Sequence, residues 1–234
     1  MGDRNHIRKL GLPATMIRPA GFTDAAEALL DSLGVADAIV VGESIGASIG
    51  LGLAARHCSR VAGIVALNPY DNGRWGGIRR SSAIGNIVFT TMLLPVIGPV
   101  VARAGTKGVL RRVLDGGLYD PGHLSPKLVD QLYQSGQRPG HGRALRSLSR
   151  SWHSWISARD RYPAIQIPVI LAYGDHDWSN EDERDANRRA IPAVRASTIR
   201  DCGHFSSLDK PAHVTALIRD FLVLPGLNTH RADT

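Results

Sequence analysis

The stretch Ala38-Ile39-Val40-Val41-Gly42-Glu43-Ser44-Ile45-Gly46-Ala47-Ser48 decides how the rest of the chain is read. Its first residues are apolar and β-branched, as in a buried strand. Gly-x-Ser-x-Gly follows over 42–46, and Ile49 to Arg56 continues as a helix of small and apolar residues. A strand, a sharp turn with serine at its tip and a helix make up a nucleophile elbow. The turn forces Ser44 into strained backbone, and Gly42 and Gly46 let strand and helix pass without Cβ clashes. The Ser44 hydroxyl then stands at the end of the sheet. The Ile45 N–H, at the helix start, is the candidate oxyanion donor. An ordinary glycine-rich turn or a phosphate-binding loop are the competing readings. A Walker loop is excluded, since no Gly-Lys-Ser/Thr follows.

Upstream, Leu12 to Ile17 reads as one short strand or coil. Thr23 is the expected N-cap of a helix with Asp24 and Glu27 in its first turn, ended by Gly34. Downstream, Val61 to Leu67 is a buried parallel strand closed by Asn68-Pro69. The next ninety or so residues carry no clear strand. Helices are expected over Ile84 to Met92, Val100 to Leu114, Pro126 to Tyr133 behind Ser125, and Arg143 to Ile156. Strand signal returns at Ile167 to Gly174, followed at once by Asp175-His176-Asp177-Trp178. Glu181 to Arg189 is a polar helix and Ala196 to Arg200 a weaker last strand. Asp201 to Phe205 turns out of that strand, and Pro211 to Leu222 closes as a helix.

The 234 residues suffice for one α/β domain with an inserted segment. Cys58 and Cys202 give no metal spacing and fit reduced intracellular thiols, with a single disulfide left open, so a cytoplasmic location is expected. The longest apolar run, Ile87 to Val101, is interrupted by Pro95, Gly98 and Pro99 and is too short for a transmembrane segment. The net charge is +7, yet residues 71–163 hold 14 Lys/Arg against 5 Asp/Glu. The excess therefore sits in the middle of the chain. It reads as a solvated arginine-rich surface, or as an attraction to acidic substrates or lipid headgroups. No nucleic-acid-binding signature accompanies it.

A serine at its ordinary pKa needs a base and an orienting acid. In chain order the sequence offers Ser44, acids after a strand, and His204 after the last strand. On Gly42-Glu43-Ser44-Ile45-Gly46, Tyr173-Gly174-Asp175-His176-Asp177 and Gly203-His204-Phe205, the chain resembles the α/β-hydrolase superfamily over about Gly21 to Leu224. The resemblance is to its lid-bearing esterase, lactonase and haloperoxidase-like branch. It implies an α/β-hydrolase fold, a mostly parallel sheet flanked by helices. Residues 1–70 and 164–224 would form the core, 71–163 a helical lid and 225–234 a tail. It implies Ser44 as nucleophile, His204 as base and Asp177 as acid, with Asp175 the alternative acid, and no metal or cofactor. A small apolar ester or lactone is the expected substrate, and Trp75, Phe89, Met92 and Leu93 of the lid would line its pocket.

Two departures stand out. Glu43 takes the place of the usual histidine before the nucleophile. The family's early His-Gly motif, which donates a second oxyanion N–H, has no counterpart in the forty-three residues before Ser44. An N-terminally shortened core is therefore expected, and with it impaired activity. The rival reading is a non-catalytic interaction protein. His204 and Asp209 also spell the His-x4-Asp pattern of some acyltransferases, but Asp209 is expected simply to cap the last helix.

Overall fold

Among the described residues, four parallel strands run side by side in the order in which the chain makes them. The computed structural model describes residues 17–80, 83–103, 105–224 and 227. The proposed strand or coil before Ile17 lies outside them, as does nearly all of the tail. Helix α1 (Pro19–Ser32) leads to β1 (Ala38–Glu43), α2 (Ile45–Ala55) and β2 (Val61–Leu67). A 3-10 turn at Arg74–Arg80 opens a helical stretch of α3 (Ala83–Met92), α4 (Gly98–Val101), α5 (Lys107–Asp115), α6 (Pro126–Gly136), α7 (His141–Arg150) and α8 (Trp152–Ser157). The chain then returns to β3 (Val169–Gly174), α9 (Glu181–Ala190) and β4 (Arg195–Ile199), and ends in α10 (Ser206–Asp209) and α11 (Pro211–Leu222). Among the described residues no strand lies between β2 and β3.

Alternation along the central strands sorts the core into two layers. Ile64, Ala66, Leu171 and Tyr173 face one side, where Ala47, Leu51 and Ala54 of α2 pack and Leu30 of α1 adds to them. Val65, Leu67, Ile170 and Ala172 face the other side, under Val214 and Phe221 of α11. Both faces of β2 and β3 are covered, which explains their nearly continuous apolar sequences. Strand β1 pairs with β2, in register from Ile39↔Gly63 to Glu43↔Leu67. On its outer side no strand is found among the described residues, and Val41 is 43% exposed.

The elbow is tight on one side only. Ser44 has φ 57° and ψ −118°, outside the comfortable regions for a residue with a side chain. A Cβ on Gly42 would lie 2.4 Å from the carbonyl carbon and oxygen of Gly46, so the strand passes directly against the helix backbone. A Cβ on Gly46 would meet nothing within 4 Å. The pattern's two glycines are thus not equivalent: the first makes room and the second supplies the backbone that is approached.

Several helix boundaries differ from the sequence expectation. Helix α1 starts at Pro19, and Thr23 lies inside it, buried, its hydroxyl donating to the Pro19 carbonyl rather than capping. Leu29 and Leu33 point outward, 57% and 65% exposed. The expected helix over Val100 to Leu114 is two helices, because the Thr106 side chain accepts from Val109 N–H and restarts the chain as α5. The expected helix over Arg143 to Ile156 breaks at Ser151, whose hydroxyl hydrogen-bonds main-chain carbonyls instead. Ser125 and Pro126 do open α6 as expected, with the Ser125 side chain accepting from Leu128 N–H.

The clash geometry separates the two elbow glycines. Gly42→Ala is expected to cost about 2 kcal/mol, whereas Gly46→Ala should change stability by less than about 0.5 kcal/mol. Urea unfolding of the two variants against the wild type measures the difference.

Candidate active site

Three loops leave the same end of the sheet, and each carries one of the candidate residues. Ser44 follows β1, Asp177 follows β3 and His204 follows β4. Ser44 Oγ lies 2.8 Å from His204 Nε2, and His204 Nδ1 lies 2.6 Å from Asp177 Oδ1. The His204 and Asp177 side chains are each 1% exposed. A carboxylate only accepts, so Nδ1 carries the proton and Nε2 is left to accept from the Ser44 hydroxyl. Such a chain can take a proton from the serine as its oxygen becomes a nucleophile.

Asp177 is kept ionised for a stated reason. Burial pushes its pKa up, but the His204 hydrogen bond and charge, and the Ser179 hydroxyl and N–H, outweigh that and hold the carboxyl below its usual range. Asp175 sits two residues away in a different role. It accepts from the N–H groups of Asp201 and Cys202 and so joins the two loops. The geometry brings Asp177, and not Asp175, to the histidine. His176 between them is exposed and rests beside Tyr119.

Ile45 is the first residue of α2, so its N–H belongs to the helix start, where intrahelical partners are lacking. Of the four lid residues singled out, Trp75 is buried with Trp178, and Phe89 and Leu93 pack against that pair. Met92 is buried, and its carbonyl accepts from Arg146. Trp178 itself stacks on the His204 ring, centroids 3.9 Å apart and planes 9° apart. The indole N–H donates to the Gly116 carbonyl, and the Trp178 carbonyl accepts from Arg80. The imidazole is thereby backed by a residue held from the helical segment. A residue next to the acid and of this size was a legible signal; the stacking was not.

Other supports were invisible in the sequence pattern. Glu43 accepts from the Ser206 hydroxyl and from the N–H and hydroxyl of Ser207, so the residue before Ser44 holds the segment just after His204. Asn68, at φ 44° after β2, donates to the His204 carbonyl and accepts from Gly174 N–H. Asp209 does not cap α11. It ends α10, and its buried carboxylate accepts from the N–H groups of Gly203, Tyr119 and Asp120 and from His123 Nδ1. His123, which no spacing in the sequence pairs with a carboxylate, is therefore one of its partners. Gly174 and Gly203 make this convergence possible. A Cβ on Gly174 would lie 2.2 Å from the Cys202 carbonyl oxygen, and one on Gly203 would lie 2.5 Å from that of Gly117.

The fold has a family counterpart. Residues 20–211 match the alpha/beta hydrolase fold family, and the chain belongs to it. Carboxylesterase YbfK of Bacillus subtilis (strain 168) is 24% identical over 225 residues, which span 95% of this chain and 69% of that protein. A 2-hydroxymuconate semialdehyde hydrolase of Pseudomonas sp. (strain CF600) is 26% identical over 218 residues, 86% of this chain and 67% of that protein. Among solved structures, wild-type Cfl2 from Burkholderia cenocepacia superposes with a TM-score of 0.75 at 19% identity, over 90% of this chain and 74% of that one.

The Asp209 knot has a pH signature. Burial pushes the Asp209 pKa up, and His123 and the three backbone donors more than offset it, so the folded value lies below the usual one. Its stabilisation is present above the unfolded-state value and is lost as pH falls through the lowered folded value. Asp209→Asn is expected to cost about 2 kcal/mol at pH 7, a gap that narrows below about pH 4. Denaturant unfolding of both proteins at the two pH values measures it.

Proposed function

We propose that this chain is a serine hydrolase that cleaves a small apolar ester, lactone or related bond. The unbroken hydrogen-bonded path from Ser44 through His204 to Asp177, with the histidine and aspartate side chains shielded from solvent and Ser44 half-buried at its outer end, is the observation that carries the reading. The family and the esterase and hydrolase names of the two relatives support hydrolysis of ester-like bonds.

In this mechanism Ser44 Oγ attacks the carbonyl carbon while His204 Nε2 takes its proton. Asp177 holds Nδ1–H in place and stabilises the imidazolium that forms. The oxyanion of the tetrahedral intermediate faces the Ile45 N–H at the helix start. Collapse passes the proton from His204 to the leaving oxygen and leaves an acyl group on Ser44. Water then attacks that ester with His204 again as base, and the serine is released.

Residues 71–163 act as the lid of this site. The apolar group of Trp75, Phe89 and Leu93 around Trp178 forms a wall beside the imidazole, consistent with an apolar substrate. The His-x4-Asp reading gains no support, because Asp209 is fully engaged by the loop donors described above.

Fluorophosphonate labelling tests the nucleophile: Ser44→Ala should label not at all and should lose at least about three orders of magnitude in ester hydrolysis. Asp177→Asn should lose about four orders in kcat through the wrong imidazole tautomer, while Asp175→Asn keeps activity near wild type. Absence of labelling in the wild type would favour the interaction-protein reading.

Trp178 is a positioning residue in this scheme. Trp178→Leu removes the stacked face and should lower kcat about ten-fold with KM little changed. Trp178→Phe keeps a ring over the imidazole and should recover most of that loss, a difference that steady-state kinetics resolves.

A further inference from the structure

The helical segment ends one of its turns in an exposed apolar tip. Leu94, Pro95, Val96 and Ile97 are four consecutive exposed residues between α3 and α4, with Val96 85% exposed. Ile87 on α3 and Val100 on α4 are also exposed. A surface leucine or valine alone needs no explanation, but an uninterrupted apolar tip flanked by two more such residues does.

The chain on either side of the tip is basic, although Arg80, Lys107 and Arg111 pair with Glu183, Asp130 and Asp115. Between Asp71 and Asp115 the sequence holds no acidic residue, while Arg74, Arg79, Arg80, Arg103, Lys107, Arg111 and Arg112 fall within it. Two further guanidiniums, from α7, reach the base of the tip. Arg146 donates to the carbonyls of Met92 and Leu94, and Arg150 to that of Leu93. Arg103, Arg138 and Arg143 gather beside Ala102 at the end of α4, so the apolar residues project from a cationic base. Such a shape suits a surface with anionic groups outermost and hydrocarbon beneath. Arginines meet the headgroups while aliphatic side chains enter the acyl boundary. No helix among the described residues is long and apolar enough to cross a membrane, so the contact is with one surface.

We propose that the Leu94–Ile97 tip docks this protein onto anionic phospholipid surfaces. Docking would bring the helical segment over Ser44 to the place where apolar esters accumulate. The proposal does not require Ser44 to be the nucleophile, since binding is read without catalysis.

Co-flotation of the full chain with vesicles tests it. Binding to phosphatidylcholine vesicles containing phosphatidylglycerol is expected to exceed binding to phosphatidylcholine alone by about ten-fold. It should weaken sharply as NaCl rises from about 0.05 to about 0.5 M. The double variant Val96→Asp/Ile97→Asp should reduce binding to the anionic vesicles by at least about ten-fold, with unchanged thermal melting and unchanged hydrolysis of p-nitrophenyl acetate. The milder Val96→Ser/Ile97→Ser pair serves if the aspartates perturb folding. Equal flotation of variant and wild type, no preference for the anionic vesicles, or no binding by the wild type overturns the proposal. So does concentration-dependent dimerisation abolished by the same variants without vesicle binding, which would make a second copy the occupant.

Discussion

The imidazole of His204 has to accept from one side and donate from the other, yet it sits on a loop with no regular structure of its own. Every contact around it answers that requirement. A free histidine side chain samples several rotamers, and a hydrogen-bond chain through both ring nitrogens needs one of them. The protein restricts the ring from its face, through Trp178, and restricts the backbone through Asn68. Neither support comes from the elbow or from the strand that leads to the histidine. The alignment of this hydrogen-bonded chain is therefore a property of the whole sheet end, not of three residues.

Carboxylates do much of this joining. Glu43, Asp175 and Asp209 each accept from backbone or hydroxyl donors of the segment around His204. A carboxylate suits the task because it offers several lone pairs and no donor, so it can gather irregular loops whose N–H groups have no ladder to join. The same chemistry explains why two aspartates two residues apart do different work. Asp175 meets main-chain N–H groups, and Asp177 meets the ring and Ser179. Around Asp71 the balance differs. Its buried carboxylate accepts from Tyr162 and Asn187, and burial still raises its pKa.

The sheet and the serine turn were readable because both depend on local pattern. Strands buried on both faces spell continuous apolar runs, and a strained turn spells glycine. The order of Ser44, Asp177 and His204 was readable because each follows a strand. Helix breaks at Thr106 and Ser151 escaped because a polar side chain that bonds to backbone resembles any other surface residue in sequence. The true tasks of Glu43, Asp209 and His123 escaped for a different reason. Their partners lie far away along the chain, at separations that reach 164 residues for Glu43 and Ser207. No spacing rule carries such contacts; only the fold does.

The outer side of β1 has a consequence of another kind. Parallel pairing with β2 satisfies one flank of this strand, and among the described residues no other strand meets the second. As far as the described residues go, peptide groups on that flank offer a ladder to an extended polypeptide, largely without regard to its side chains. Self-association through this border would depend on concentration more than on ionic strength, so the surplus of positive charge elsewhere on the molecule protects it only through long-range repulsion. Among the described residues, the strand that leads to Ser44 is thus also the border at which further backbone would add.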